Sequence, residues 1–351
     1  MKRIITVILS LAASLVVMAQ VRITTPETEL IIKADKGADL QILYFGARLS
    51  DADAANIEAA GVPGHSAYRA YGLWCASEAS LGVTHADGNL STSLKVESVM
   101  QSDVIDNSIV TKVVMKDAVY PFYVTVCYRA YQDVDMIETW TEIANLGKKP
   151  VTLTRFDSGY LPVRVGDVWL SHLHGTWAAE GLLVQEPLQR GMKVIKNKDG
   201  SRNSHTDHAE VMFSLDGKPQ ENTGRVIGAA LCYSGNYELR IDTRDTDYHE
   251  FYAGINPDNS SYKLESKEVF MTPELAFTYS DEGLSGASRN FHKWGRTYKL
   301  AHGDKLRKIL LNSWEGVYFD INEPGMDQMM ADIASRGGEL FVMDDGWFGV
   351  K

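Results

Sequence analysis

The sequence predicts a multidomain chain, all-β over most of its length and α/β at its end. Three observations carry this reading. From about residue 21 to 285, short β-branched and aromatic runs are punctuated by Gly, Asp and Asn turns. Near residue 281 the apolar spacing changes from two residues to three or four. From about residue 308 a strand, a helix and a second strand follow one another. The 351 residues carry 35 Lys+Arg against 46 Asp+Glu, a net charge of −11, and 44% of them are hydrophobic. That apolar fraction fills a core and excludes wholesale disorder. The acidic balance lacks the basic footprint of a nucleic-acid binder, so no nucleic-acid partner is expected.

The N-terminus reads as an address. Met1-Lys2-Arg3 is basic, and Ile4 to Ala19 carries no charge, with only Thr6, Ser10 and Ser14 as polar interruptions. Val17 and Ala19 place small residues at −3 and −1 of a cleavage site before Gln20. This pattern predicts a signal peptide over residues 1–19 and an exported protein, periplasmic or extracellular. The run is short for the roughly 20 residues of a membrane span, and no second such run follows. No membrane partner is therefore expected after cleavage. Cys75, Cys127 and Cys232 are odd in number and far apart, and they read as small buried hydrophobes rather than a disulfide framework.

The strands come first. Val21–Thr25, Glu29–Lys33, Ser108–Met115, Phe122–Tyr128 and Met136–Ile143 are β-branched or aromatic, several with period-two alternation. Asp35–Gly37, Asn145–Gly147, Asp199-Gly200, Asp216-Gly217 and Ser234–Asn236 supply turns. Many strands with short connections make a large antiparallel sandwich, over residues 20–282. A connector follows over 283–304. In it Leu284, Ala287, Phe291, Trp294 and Tyr298 repeat at helical spacing, while Gly283, Gly286 and Gly295 weaken the helix.

The remaining residues, 305–351, read as a β-α-β unit. Ile309–Leu311 forms a short buried strand ending at Asn312-Ser-Trp314-Glu315. Asn322 N-caps a helix of some fourteen residues with Pro324 in its first turn, and Gly337-Gly338 stops it. Met326, Met329, Met330, Ile333 and Ala334 share one face. Leu340–Met343 is a second buried strand, capped by Asp344-Asp-Gly-Trp-Phe-Gly349. A strand, a helix and a parallel strand make one right-handed crossover.

In parallel α/β folds, polar residues just past the strand C-termini are site candidates, because the loops there converge on one mouth. The first strand ends in Trp314 and Glu315, the second in Asp344, Asp345 and Trp347. Carboxylates accept hydrogen bonds from hydroxyls, and an indole is an apolar platform for the C–H face of a sugar. Together they point to a carbohydrate site, although Asp-Asp-Gly is also an ordinary strand-ending turn. Adjacent residues cannot stand on the two sides of a glycosidic bond, so binding suits Asp344 and Asp345 better than acid–base catalysis. His172 and His174, with His205, Asp207, His208 and Glu210, form a polar set that a sandwich loop explains better than a metal site. Asn259-Ser-Ser261 fits a glycosylation acceptor.

Leu311–Asp320 followed by Gly338–Gly349 resembles glycoside hydrolase family 36, the retaining α-galactosidases. Leu40–Gly46, Leu173–Trp177, Tyr233–Asn236, Gly254–Pro257 and Tyr279–Gly286 match in order upstream. The resemblance implies an N-terminal β-supersandwich, a helical connector and the first βαβ unit of a (β/α)8 barrel. It implies that Asp344 and Asp345 hold galactose hydroxyls, that Trp314 follows the first barrel strand, and that the sandwich contributes Trp177 to the pocket. It implies hydrolysis of terminal α-galactosides such as raffinose-type oligosaccharides, no cofactor, and tetramers in some members. Within the same class, α-N-acetylgalactosaminidase is the runner-up; a sugar-binding or structural sandwich fragment is the alternative outside it.

Two departures accompany the resemblance. In Tyr68–Ser80, Cys75 and Ser77 stand where the family has an acidic and a basic residue tied to subsite and inter-subunit contacts. And 47 residues follow position 304, where such a barrel takes about 250. The family's aspartate nucleophile and acid/base lie later in the barrel, so these residues are expected to supply sugar-binding groups and no catalytic pair. The chain is accordingly expected to be an N-terminal fragment, inactive alone, whose last 45 or so residues expose apolar surface.

Overall fold

Alternating apolar residues become sheet throughout the first unit of the protein. The structure, a computed structural model, describes residues 20–59, 64–72, 77–245 and 247–348. The expected signal peptide and Cys75 lie outside the described residues. The chain divides into two units, one through Trp294 and one from Gly295.

In the first unit the largest sheet runs from Ala179–Pro187 through Trp169–Thr176, Asp207–Ser214, Val226–Cys232, Glu274–Ser280, Ile137–Asn145, Phe122–Tyr131 and Ser108–Asp117 to Leu94–Gln101. A second sheet orders Gly191–Lys196, Tyr237–Asp245, Tyr248–Ile255, Val151–Val163 and Tyr262–Leu264, and a third joins Gln20–Thr24, Thr28–Lys33, Gln41–Ala47 and His65-Ser66. The strands pair antiparallel, as in the long ladder of Ser108–Lys116 against Tyr131–Tyr123. This is the mostly antiparallel β domain expected from the alternation. The strand-only reading missed α1 (Asp51–Ala59). Its Ala-rich sequence carries one β-branched residue, Ile57, and the Ser50 hydroxyl caps it by accepting from the Asp53 N–H at 3.2 Å.

Facing side chains of the two large sheets build the core. Phe213 meets Phe251 edge-on with ring centroids 5.2 Å apart, and Phe156 meets Phe270 at 4.8 Å. Tyr237, Leu239 and Ile241 are fully buried in it. Their neighbours Glu238, Arg240 and Asp242 turn to the opposite face, as period-two geometry requires. That face is also covered. Glu238, Arg240, Asp157 and Glu250 are buried, and residues of the segments 64–72 and 77–80 reach them. Arg69 donates to Glu250 at 2.9 Å, Arg240 donates to Glu78 at 3.1 Å, and His65 Nδ1 meets the Tyr248 hydroxyl at 2.8 Å. Burial pushes the Glu250 carboxyl up, but Arg69 and the hydroxyls of Ser77, Tyr248 and Tyr160 hold it below the usual carboxylate range. Ser77, which with Cys75 makes the first departure, therefore serves this buried carboxylate.

One expectation is corrected here. Cys127 is buried as expected, and burial raises its thiol. Cys232, however, is exposed, because it ends its strand and the alternation gives the core position to Leu231. The connector helix α2 spans Gly283–Trp294. It packs on the large sheet, where Trp294 Nε1 donates to the buried Glu138 at 3.1 Å.

The second unit opens with a π-helical turn over Gly295–Lys299. Leu310–Asn312 and Leu340–Val342 then pair in parallel, in the register Leu310 to Leu340. Between them lie α3 (Trp314–Val317) and α4 (Glu323–Ser335). Asn322 caps α4 by accepting from the Gly325 N–H at 2.9 Å, and Gly337 follows it at φ +86°. The burial expected of the two strands is not found: Leu310 is 48% exposed and Leu340 41%. One helix covers only part of a two-stranded sheet, and of the apolar face of α4 only Met326 is buried. Large apolar exposure in these residues matches the expectation for a βαβ unit described by itself.

Candidate functional site

The parallel ladder brings the two strand ends side by side. Its last rung extends past Asn312, where the Ser313 N–H donates to the Val342 carbonyl at 3.0 Å. Ser313 is fully buried, and its hydroxyl accepts from the Asp344 N–H at 3.1 Å. The Asn312 side chain works in both directions. Its Oδ1 accepts from the Trp314 N–H at 2.8 Å, and its Nδ2 donates to Asp344 Oδ2 at 2.5 Å. Asp344 Oδ1 accepts from the Asp345 N–H at 2.7 Å, and Asp345 Oδ1 accepts from the Gly346 N–H at 2.9 Å.

Both carboxylates thus sit in turns of their own backbone, at one end of one sheet. Gly346 makes that turn at φ +96°, where a Cβ would come within 3.1 Å of the Phe319 backbone. Asp344 is held charged: the Asn312 amide, and then the Asp345 N–H, keep its carboxyl below the usual aspartate range. A carboxylate stabilised in its ionised form accepts hydroxyl protons as hydrogen bonds and is a poor general acid near neutral pH. The same donors define a prediction. Its charge-dependent stabilisation is present above the ordinary aspartate pKa and is lost as pH falls through the depressed folded value. In a carboxyl-carbon NMR titration, Asp344 titrates below ordinary aspartates, and Asn312→Ala moves its midpoint back up. An unmoved midpoint would show that the amide does not set the charge.

Trp314 packs edge-on against Tyr318 and Phe319, at 5.4 and 4.9 Å between centroids, leaving it half-buried. Trp347 is 65% exposed just past the second strand. These four candidates belong to one strand-end cluster. Trp177 belongs to the other unit. It stands 81% exposed at the tip of the hairpin between Trp169–Thr176 and Ala179–Pro187. The next residue, Ala178, turns the chain at φ +61°. Sequence reasoning missed Asn312 and Ser313 as organisers of the site. The available signal was the strand pairing itself, which sets Asn312 two positions short of Asp344.

The histidine set does not converge. His174 Nδ1 pairs with Asp207 at 2.7 Å and His172 Nε2 with Glu186 at 3.3 Å. Among the described residues, no three His, Cys, Asp or Glu side chains are placed to share a metal ion.

Comparison with known proteins bears on this architecture. The glycosyl hydrolase family 36 N-terminal domain matches residues 38–265, and melibiase matches residues 269–351. The chain is 34% identical over 243 residues to α-galactosidase AgaA of Geobacillus stearothermophilus, covering 68% of this chain and 33% of that protein. It is 32% identical over 239 residues to α-galactosidase Mel36A of Lactobacillus acidophilus, covering 68% and 32%. The crystal structure of an AgaA variant with 1-deoxygalactonojirimycin superposes with a TM-score of 0.86 at 26% identity, covering 94% of this chain and 50% of that one. The chain spans about a third of the length of these curated relatives. The matched domain covers most of its residues, and the chain belongs to glycosyl hydrolase family 36.

Proposed function

We propose that these residues form the N-terminal part of a retaining α-galactosidase that hydrolyses terminal α-D-galactosides of the raffinose type. The observation that carries the reading is Asp344, a carboxylate fixed in its charged form by Asn312 at the C-terminal end of a parallel strand. Relatives named α-galactosidases support it, as do AgaA variants crystallised with raffinose and with stachyose. On this reading the strands Leu310–Asn312 and Leu340–Val342 begin a (β/α)8 barrel. Asp344 and Asp345 accept hydrogen bonds from sugar hydroxyls, and Trp314 and Trp347 offer apolar faces. The nucleophile and the acid/base come from later barrel strands, so the residues described here orient the sugar without attacking it. Export on a leader over residues 1–19 is proposed with it, on the basic start and the Val17-Met-Ala19 cleavage pattern.

The test is kinetic. In a polypeptide carrying the whole barrel, Asp344→Asn is expected to lower kcat/KM on an aryl α-galactoside about 10²-fold, the scale of lost charge-assisted hydrogen bonds. A variant within twofold of the parent would overturn the assignment.

A further inference from the structure

A small cavity of about 260 Å³ opens in the first unit, at the end of the large sheet away from the connector helix. The strand Ile137–Asn145 sets the separation. Glu138 near its start holds Trp294, and Asn145 at its end lines the cavity. The two stand seven positions apart on extended chain, about 24 Å. We propose that this cavity binds a small aromatic carboxylate, an inference that does not rest on the galactoside reading.

Charge sets one half of the ligand. The wall carries Lys148 and Lys149 and no Asp or Glu, on a chain whose net charge is −11. The turn that bears the two lysines is pinned. Asn145, 2% exposed, donates from its amide to the Lys149 carbonyl at 2.9 Å and accepts from the Gly147 N–H at 3.0 Å, and the Leu146 N–H donates to the Pro121 carbonyl at 2.9 Å. Neither ammonium has an ion-pair partner among the described residues. The carboxylates closest in the chain to this wall are already engaged. Asp87 accepts from the Tyr120 hydroxyl at 2.8 Å, and the buried Asp117 accepts from the N–H groups of Val119 and Tyr120 at 2.8 and 2.7 Å. Two cationic groups on a fixed turn suit an anion brought from outside.

The wall behind them sets the other half. His85 and Tyr120 stack with centroids 3.8 Å apart and planes 13° from parallel, and Phe122 meets His85 edge-on at 5.6 Å. Burial lowers the His85 pKa, so the imidazole stays neutral and adds a ring rather than a third cation. Pro121 and Val151 complete an apolar side. The polar groups of this wall are spent on the protein. The Tyr120 hydroxyl also accepts from the Asn89 amide at 2.9 Å, and His85 Nε2 pairs with the Thr92 hydroxyl at 2.9 Å. A sugar would lose hydrogen bonds to water here without regaining them, whereas a flat ring loses none. The volume falls just below the roughly 300–1,000 Å³ of drug-sized pockets, room for one ring and a short substituent.

The test titrates the 351-residue chain with 4-hydroxycinnamate, benzoate and the neutral amide of 4-hydroxycinnamate by calorimetry at low ionic strength. The same titrations are run on the double variant Lys148→Ala, Lys149→Ala and on Ala86→Glu, which sets a like charge in the wall. All three positions are exposed, and unchanged thermal melts confirm that the variants fold. Expected is binding of 4-hydroxycinnamate, weakened about tenfold in its amide, about tenfold by loss of the two lysines, and at least as much by Ala86→Glu. Equal affinity for the acid and the amide would overturn the carboxylate. Binding undiminished in both variants would put the ligand elsewhere and overturn the cavity. Binding of neither carboxylate would overturn both.

Discussion

Arg240→Met is expected to lower the free energy of unfolding by about 3–5 kcal/mol, measured by urea denaturation at pH 7. The guanidinium is 5% exposed and reaches Asp157 at 2.5 Å, Glu78 at 3.1 Å and Glu238 at 3.1 Å. It also lies 4.7 Å from the centroid of the Tyr252 ring. Methionine keeps much of the volume but leaves Asp157 and Glu238 buried with one arginine, Arg155, between them. Burial already holds the Asp157 carboxyl above the usual range, with Arg240 and then Arg155 opposing it. Without Arg240 that carboxyl moves further up. A group whose folded pKa is raised binds more protons in the folded state, so stability falls as pH rises through that value. The deficit of Arg240→Met should therefore be smaller at pH 4 than at pH 7. Arg225 is the control, because it also approaches Asp216 to 2.5 Å but with side chains 47% and 42% exposed. Water screens that pair, and Arg225→Met should cost about 0–1 kcal/mol. Equal losses for the two variants would show that burial does not decide the strength of these pairs.

This charged layer marks the limit of what the sequence makes legible. Strands such as Ser108–Asp117 and Phe122–Tyr131 were readable because a period-two pattern needs only neighbours in the chain. Asn322, Pro324 and Gly337 announced the ends of α4 for the same local reason. Asp344 and Asp345 were readable as candidates because strand ends can be located from the sequence, and geometry added the Asn312 amide that fixes the charge. Glu238-Leu-Arg-Ile-Asp242, by contrast, reads as a strand with one wet face. Its charged face is met by Glu78 and Ala79, far away in sequence, and alternation cannot say what covers a face. Cys232 shows the same limit, since its exposure depends on where the strand stops.

Gly283→Ala is expected to destabilise the first unit by about 3 kcal/mol, read as a fall in the urea midpoint with unchanged slope. Gly283 opens α2 at φ +66°, a conformation that alanine enters only with strain. Space is the larger obstacle. A Cβ would lie 2.6 Å from the Gln220 carbonyl, 2.7 Å from the Glu221 carbonyl and 2.7 Å from the Thr223 nitrogen, all backbone atoms. That loop is also the cap of the helix. The N–H groups of Gly283, Leu284 and Ser285 donate to the carbonyls of Gly224, Gln220 and Glu221 at 2.9, 3.1 and 2.9 Å. Moving the loop to admit a methyl group leaves first-turn donors without partners, the loss that follows removal of an N-cap. The helix so weakened carries Ala287 and Trp294, both buried on the sheet, with Phe291 packed over Gly228. Gly295 separates this argument from a general intolerance of alanine in the connector. It has no atom within 4 Å of its Cβ position and no positive φ. Gly295→Ala should therefore be neutral or stabilising by about 0.5–1 kcal/mol. If the two variants unfold alike, the close approach at Gly283 does not hold the helix to its loop.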